Sequence, residues 1–133
     1  MRIVITGAAG RIGSQLIAEL SGAHELRLID RRPVAGRGSI VGDLAKHPAN
    51  HDGWRNWLRP RTPRWIHAFE RAQVVIHLAA NPDPLAPWKE VLRDNIEATW
   101  HVLETAARYQ VPRVVFASSN WAVRAVERGL APL

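Results

Sequence analysis

Thr6-Gly7-Ala8-Ala9-Gly10-Arg11-Ile12-Gly13 lies between a β-branched run and an amphipathic stretch, and its glycines decide how the chain is wound. Residues 2–6 (RIVIT) stop at the first of them and read as a buried strand. After it, Ile12, Leu16, Ile17 and Leu20 recur at helical spacing until Ser21-Gly22 ends the pattern. A strand, a glycine turn and a helix in that order make a phosphate site, because the first N–H groups of the helix point outward with no partner of their own. Gly7 permits the tight exit from the strand, Gly10 lets a diphosphate approach the backbone, and Gly13 lets the helix lie against the sheet. Asp30, 17 residues after Gly13, ends a second strand, Glu25–Asp30 (ELRLID). A carboxylate there accepts both hydroxyls of an adenosine ribose and repels a 2′-phosphate. Arg31 and Arg32 follow at once and offset part of that repulsion, so NAD is expected in preference to NADP.

Working outward, Ser39–Leu44 suggests a short third strand, and Gln73–Leu78 (QVVIHL) a fourth, almost continuously apolar as central parallel strands are. Pro87 suits the start of a long helix. Trp88, Leu92, Asn95/Ile96, Thr99, Leu103 and Ala106 are expected along its inner face. Pro112 closes that unit, and Arg113–Ala117 (RVVFA) is a fifth strand. Strand–helix alternation with short connections predicts an α/β fold, a Rossmann-like doubly wound parallel sheet of about five strands.

The 133 residues are one domain's worth of chain, and 47% hydrophobic with 23% charged residues is the balance of a globular protein rather than a disordered one. No apolar run approaches the ~20 residues of a membrane span, and the opening residues are too short and too soon broken by glycine for a signal peptide. The absence of cysteine excludes a disulfide frame and a thiolate metal site, and no metal is expected. A cytoplasmic protein follows as the expectation.

The formal charge is +6, and Lys46 and Lys89 are the only lysines among the 18 basic residues. Residues 54–71 (WRNWLRPRTPRWIHAFER) carry three tryptophans, five arginines and two prolines. Arginine interleaved with aromatics could stack on nucleic-acid bases. The plainer reading puts Trp57, Leu58, Trp65, Ile66 and Phe69 on one or two short helices packed on the sheet and split by Pro60 and Pro63.

The T-G-x-x-G-x-x-G spacing resembles the short-chain dehydrogenase/reductase superfamily. Four further segments agree: Gly42-Asp43-Leu44, Val75-Ile76-His77-Leu78-Ala79-Ala80, Asn95-Ile96-Glu97-Ala98-Thr99 and Val115-Phe116-Ala117-Ser118-Ser119-Asn120. Together they resemble its extended branch, the NAD-dependent epimerase/dehydratase family, and within it the uronate-dehydrogenase-like group, over residues 1 to 123. The resemblance implies that Gly7, Gly10, Arg11, Ile12 and Gly13 hold the diphosphate and Asp30, with Arg31 beside it, the ribose. It implies that Asp43 meets the adenine amino group with Leu44 beside the ring. Leu78, Ala79 and Ala80 would line the nicotinamide-side ribose, with Asn95 near the cofactor or, alternatively, bonding neighbouring backbone. Ser119 matches the serine that hydrogen-bonds the substrate oxygen in hydride transfer, and Asn120 would touch a sugar hydroxyl. Trp121 stands where the uronate group shows His, which sets this chain apart from that group's substrate.

In this family a tyrosine takes the proton, its pKa lowered by a lysine four residues later. No Tyr-x-x-x-Lys occurs here: the single tyrosine, Tyr109, is followed four positions on by Arg113. The expectation is a C-terminally truncated unit, with residues 1–123 an NAD(P)-binding domain, 124–133 (RAVERGLAPL) a tail unlike the family, and the substrate domain absent. Such a unit binds NAD and does not turn over alone, whereas the intact relative acts on a sugar or sugar acid. The alternatives are an NAD-sensing or protein-interaction module and, further off, a basic nucleic-acid-binding domain. Self-association is expected through the long helix after Pro87 or the edge strand 113–117.

Overall fold

The computed structural model describes residues 1–46 and 63–119. Its elements are β1 (Arg2–Thr6), α1 (Arg11–Leu20), β2 (Glu25–Asp30), β3 (Ile40–Val41), a 3₁₀ helix (Arg64–Phe69), β4 (Val74–His77), α2 (Trp88–Val91), a π-helical turn (Leu92–Glu97), α3 (Ala98–Arg108) and β5 (Val114–Phe116). The strands form one sheet in the order β3-β2-β1-β4-β5, every neighbouring pair parallel. The doubly wound parallel sheet expected from the sequence is the observed fold. β1, α1 and β2 have the expected bounds. The other strands are shorter, β3 most of all, because beyond Val41 the chain turns under Trp65: a Cβ on Gly42 would lie 3.1 Å from the indole.

Alternation along β1 builds a core on each face of the sheet. Ile3 and Ile5 pack with Ala8, Ile17 and Leu28 on the α1 side. Val4 faces the other way, into a larger cluster of Ile29, Leu44, Trp65, Ile66, Phe69, Val75, Ala98, Val102 and Ala106. Trp65 and Phe69 meet edge-on there, centroids 6.0 Å apart at 64°. Trp65 is 1% exposed and Phe69 fully buried, so the two aromatics of residues 54–71 that lie inside the described residues are core and offer no base-stacking face. Trp54, Trp57, Leu58 and Pro60 lie outside them.

The helical run from Trp88 needs one correction. The inner face is Ala98, Val102, Thr105 and Ala106, while Trp88, Ile96 and Leu103 are exposed. The aromatic bulk of Trp65 and Phe69 already fills this side of the sheet, so small residues turn inward and large ones outward. α3 ends in a Schellman turn, with Gln110 left-handed at φ 52 and the Val111 N–H bonded to the Ala106 carbonyl at 2.9 Å. Pro112 then prevents further helix. No helix among the described residues is long and apolar enough to cross a membrane.

Candidate functional site

In the strand order, β1 separates the half of the sheet wound one way from the half wound the other. The crevice beyond the carboxyl ends of β1 and β4 is where such sheets take ligands. A cavity of about 720 Å³ opens there. Of the residues singled out by sequence, Gly7, Gly10, Arg11, Ile12, Gly13, Asp30, Arg31, Leu44, Leu78, Ala79 and Ala80 line it. Arg32, Gly42, Pro82, Asp94, Ala98 and Ala117 line it as well.

The glycine turn is built by close backbone approach. Gly7 is left-handed (φ 69), and a Cβ on it would lie 2.7 Å from the Ala79 nitrogen. A Cβ on Gly13 would lie 2.4 Å from the Gly7 carbonyl oxygen. The turn is thus locked between α1 and the residues that follow β4. Gly10 is the N-cap of α1 and brings no side-chain cap, nor does the first helical turn hold an acid. The leading N–H groups of α1 therefore face the cavity as anion donors.

Asp30 fixes the far side of the turn. Its Oδ2 accepts the Ala9 N–H at 2.9 Å and its Oδ1 the Arg32 N–H at 2.9 Å. Each oxygen keeps a second lone pair for a ligand hydroxyl.

The Asp43 carboxylate is held in a cluster of hydrogen bonds and ion pairs. Its carboxylate takes hydrogen bonds from Arg31 (Nη2, 3.2 Å), from Arg93 and from the Ala45 N–H (3.1 Å), while Gly42 and Leu44 on either side of it form the wall. Asp94, which the sequence analysis missed, faces both arginines. It is paired through Arg31 Nη1 at 2.8 Å and Arg93 Nη1 at 2.6 Å. The Arg31 bond holds its carboxyl below the usual range, and the same bond raises the Arg31 pKa further. No sequence pattern marks Asp94; only the structure places it in the π turn, a local widening common at functional sites.

Asn95 stands behind the wall rather than on it. Its Oδ1 accepts the Asn81 N–H at 2.7 Å and its Nδ2 donates to the Asn81 carbonyl at 3.1 Å, so the amide clamps the backbone after β4. Next to this clamp lies His77, fully buried. Thr6 Oγ1 is 2.6 Å from its Nδ1 and Thr99 Oγ1 3.0 Å from its Nε2. Burial pushes the imidazole pKa down to about 4. The Ala117 N–H bonds the His77 carbonyl, placing Ser119 just past the carboxyl end of β5 on the cavity's edge of the sheet. Asn120 and Trp121 lie outside the described residues. Tyr109 sits at the opposite, amino-terminal edge, before β5, and burial raises its phenol pKa. Both features unsuit it to take a proton at this site.

The sequence matches the NAD dependent epimerase/dehydratase family over residues 3–128. An NAD-dependent glucose-6-phosphate dehydrogenase of Haloferax volcanii is 35% identical over 94% of this chain and 45% of its own length. A uronate dehydrogenase of Pseudomonas putida is 34% identical over 90% of this chain and 41% of its own. A solved structure, MoeE5 in complex with UDP-glucuronic acid and NAD, is 32% identical with a TM-score of 0.71, over 90% of this chain and 37% of its own. The chain therefore spans less than half the length of each.

Proposed function

The chain belongs to the NAD dependent epimerase/dehydratase family, and from that membership we propose that it is the NAD-binding half of a sugar- or sugar-acid-modifying oxidoreductase. The observation that carries this is the glycine turn, pressed against Ala79 and opening the uncapped start of α1 onto the cavity beside Asp30. The residues present fit a dinucleotide: bare N–H groups for a diphosphate, a carboxylate with lone pairs to spare for a ribose, and small residues, Ala79 and Ala80, where a flat ring must lie. NAD supplies the hydride acceptor. The chain's own residues bind and orient it, Asn95 by holding the Asn81 backbone, while Ser119, past the carboxyl end of β5, serves the substrate side. No Tyr-x-x-x-Lys occurs in these 133 residues, so this unit alone binds cofactor without turnover. The relatives, a glucose-6-phosphate dehydrogenase and a uronate dehydrogenase, support a sugar-class substrate for the intact enzyme.

Calorimetric titration tests this reading. The native chain is expected to bind NAD saturably and more tightly than NADP. Asp30→Asn keeps an acceptor for the Ala9 N–H but loses the charge that receives two ribose hydroxyls. It should weaken NAD about tenfold or more and narrow the margin over NADP. Unchanged NAD affinity would remove Asp30 from the ribose site.

Self-association is proposed through the outer face of the helix after Pro87. Ile96, Trp100 and Leu103 are 49%, 64% and 42% exposed and stand at i, i+4 and i+7. Trp100→Glu is expected to shift the chain to monomer in sedimentation. An unaltered sedimentation profile would point to the edge strand β5 instead.

A further inference from the structure

Asp94 lies 63 positions from Arg31 in sequence, outside every cofactor motif, yet both line the cavity beside Asp30. We propose that Asp94 fixes the choice between NAD and NADP by holding Arg31 away from the place where a 2′-phosphate would lie. The inference rests on the dinucleotide site proposed above.

The geometry is that of a closed ring of charge. Arg31 presents Nη1 to Asp94 Oδ2 at 2.8 Å, Nη2 to both Asp94 and Asp43, and Nε to Asp43 at 3.4 Å. All three guanidinium nitrogens are thus spent on carboxylates. Arg93 closes the other side, reaching Asp94 at 2.6 Å and Asp43 as well. Two arginines and two aspartates cancel in net charge, and the planar fork of Arg31 is engaged bidentately by Asp94. Asp94 comes from the π turn, so the partner that restrains Arg31 is delivered by an element far from it in sequence.

A ribose phosphate needs a guanidinium with free donors beside the strand-end acid. Arg31 follows Asp30 directly and has the right chemistry, but four of its five N–H donors are committed to Asp43 and Asp94. Arg32, the other candidate, also lines the cavity but is exposed, and among the described residues its side chain bonds the Ala9 carbonyl at 3.4 Å. Cutting the Asp94 carboxylate leaves the ring with one excess positive charge and releases Nη1 of Arg31, while Nη2 and Nε stay on Asp43. NADP then gains a charge-assisted contact that NAD cannot use.

The experiment titrates NAD and NADP calorimetrically against the native chain, Asp94→Asn, Arg31→Gln, and the double variant, each checked by thermal melt. Asp94→Asn is expected to tighten NADP relative to NAD by roughly tenfold. Adding Arg31→Gln should abolish that gain, and Arg31→Gln alone should leave the NADP-to-NAD ratio as in the native chain. An unchanged ratio in Asp94→Asn overturns the proposal. So does a gain that survives in the double variant, which would mean that only a repelling charge had been removed. Should Asp94→Asn not fold, Arg31→Gln alone decides: a loss confined to NADP would mean that Arg31 already serves the phosphate. If the native chain binds neither dinucleotide, it is the cofactor site itself that fails.

Discussion

Alanine at Gly7 or Gly13 is expected to cost the chain its fold, whereas alanine at Gly10 should cost it only its ligand. At Gly7 a methyl would lie 2.7 Å from the Ala79 nitrogen and 2.8 Å from the Leu78 carbonyl carbon, on a backbone at φ 69. At Gly13 it would lie 2.4 Å from the Gly7 oxygen and 2.9 Å from Ala8 backbone atoms. These neighbours are main chain of the two central strands' exits and cannot swing aside as a side chain would. Overpacking against backbone, with the left-handed penalty added at Gly7, comes to about 3 kcal/mol or more at each. For a single domain that is a large share of total stability.

At Gly10 the added methyl meets only the Gly7 oxygen, at 3.1 Å, and otherwise projects where the cavity is. Its melting temperature should stay within a few degrees of native, on the order of 1 kcal/mol, while NAD affinity falls at least about tenfold as the diphosphate is pushed from the N–H groups. Thermal melts and calorimetric titration on the three variants separate the cases. A Gly10 variant that binds as the native chain does would remove the diphosphate from this turn, and a Gly7 variant of native stability would contradict the packing of the turn on Ala79.

The same glycine turn explains why so much of this fold was legible in the sequence. Strand, turn and helix there are specified by residues a few positions apart, so local chemistry suffices: β1, α1 and β2 have the bounds the pattern predicts. What the pattern misjudged or missed depends on partners far along the chain. The inner face of the helix after Pro87 is set by Trp65 and Phe69 filling the space against it, so Ala98 and Val102 turn inward where Trp88, Ile96 and Leu103 had been expected. Asp43 stood in a recognisable segment, but its carboxylate is claimed by Arg31 and Arg93, one of them 50 positions away. Asp94 had no local signature at all. It becomes part of the site only because the sheet order brings the π turn across the carboxyl end of β2. Long-range ion pairs cannot be read from spacing.

Acidifying the protein from pH 6.5 to about 4 is expected to remove much of the stability that His77 confers, with its hydrogen bonds giving the reason. Thr6 Oγ1 accepts the N–H groups of Leu78 and Ala79, each at 3.3 Å, so its own proton goes to His77 Nδ1. Nε2–H then donates to Thr99 Oγ1, whose hydroxyl donates to the Asn95 carbonyl at 2.5 Å. Every donor in this chain has one acceptor, and the arrangement admits only the neutral imidazole. Protonating Nδ1 would set a second proton against Thr6 and place a buried charge with no carboxylate bonded to it. The sign follows. The unfolded imidazole titrates near 6.5 and the folded one near 4, so between those values the unfolded state binds more protons and stability rises with pH. The contribution is complete above the unfolded value, lost progressively below it, and flat once the folded group also titrates. A depression of this size is worth on the order of 3 kcal/mol. Asp94, whose pKa is also lowered, loses its contribution in the same direction but below the usual carboxylate range, so the two effects occupy separate windows. Urea midpoints measured across this range should fall steeply for the native chain. His77→Gln, which keeps a donor for Thr99 and cannot titrate, should begin less stable by about 2 kcal/mol and fall much less between pH 6.5 and 4. A variant profile as steep as the native one would assign the transition to another group. Because this chain of bonds runs from the exit of β1 to the Asn95 clamp, protonation should also loosen the backbone at Leu78–Ala80. NAD affinity of the folded chain is then expected to fall only as the pH approaches about 4, where the folded imidazole itself titrates, and to lose that dependence in His77→Gln.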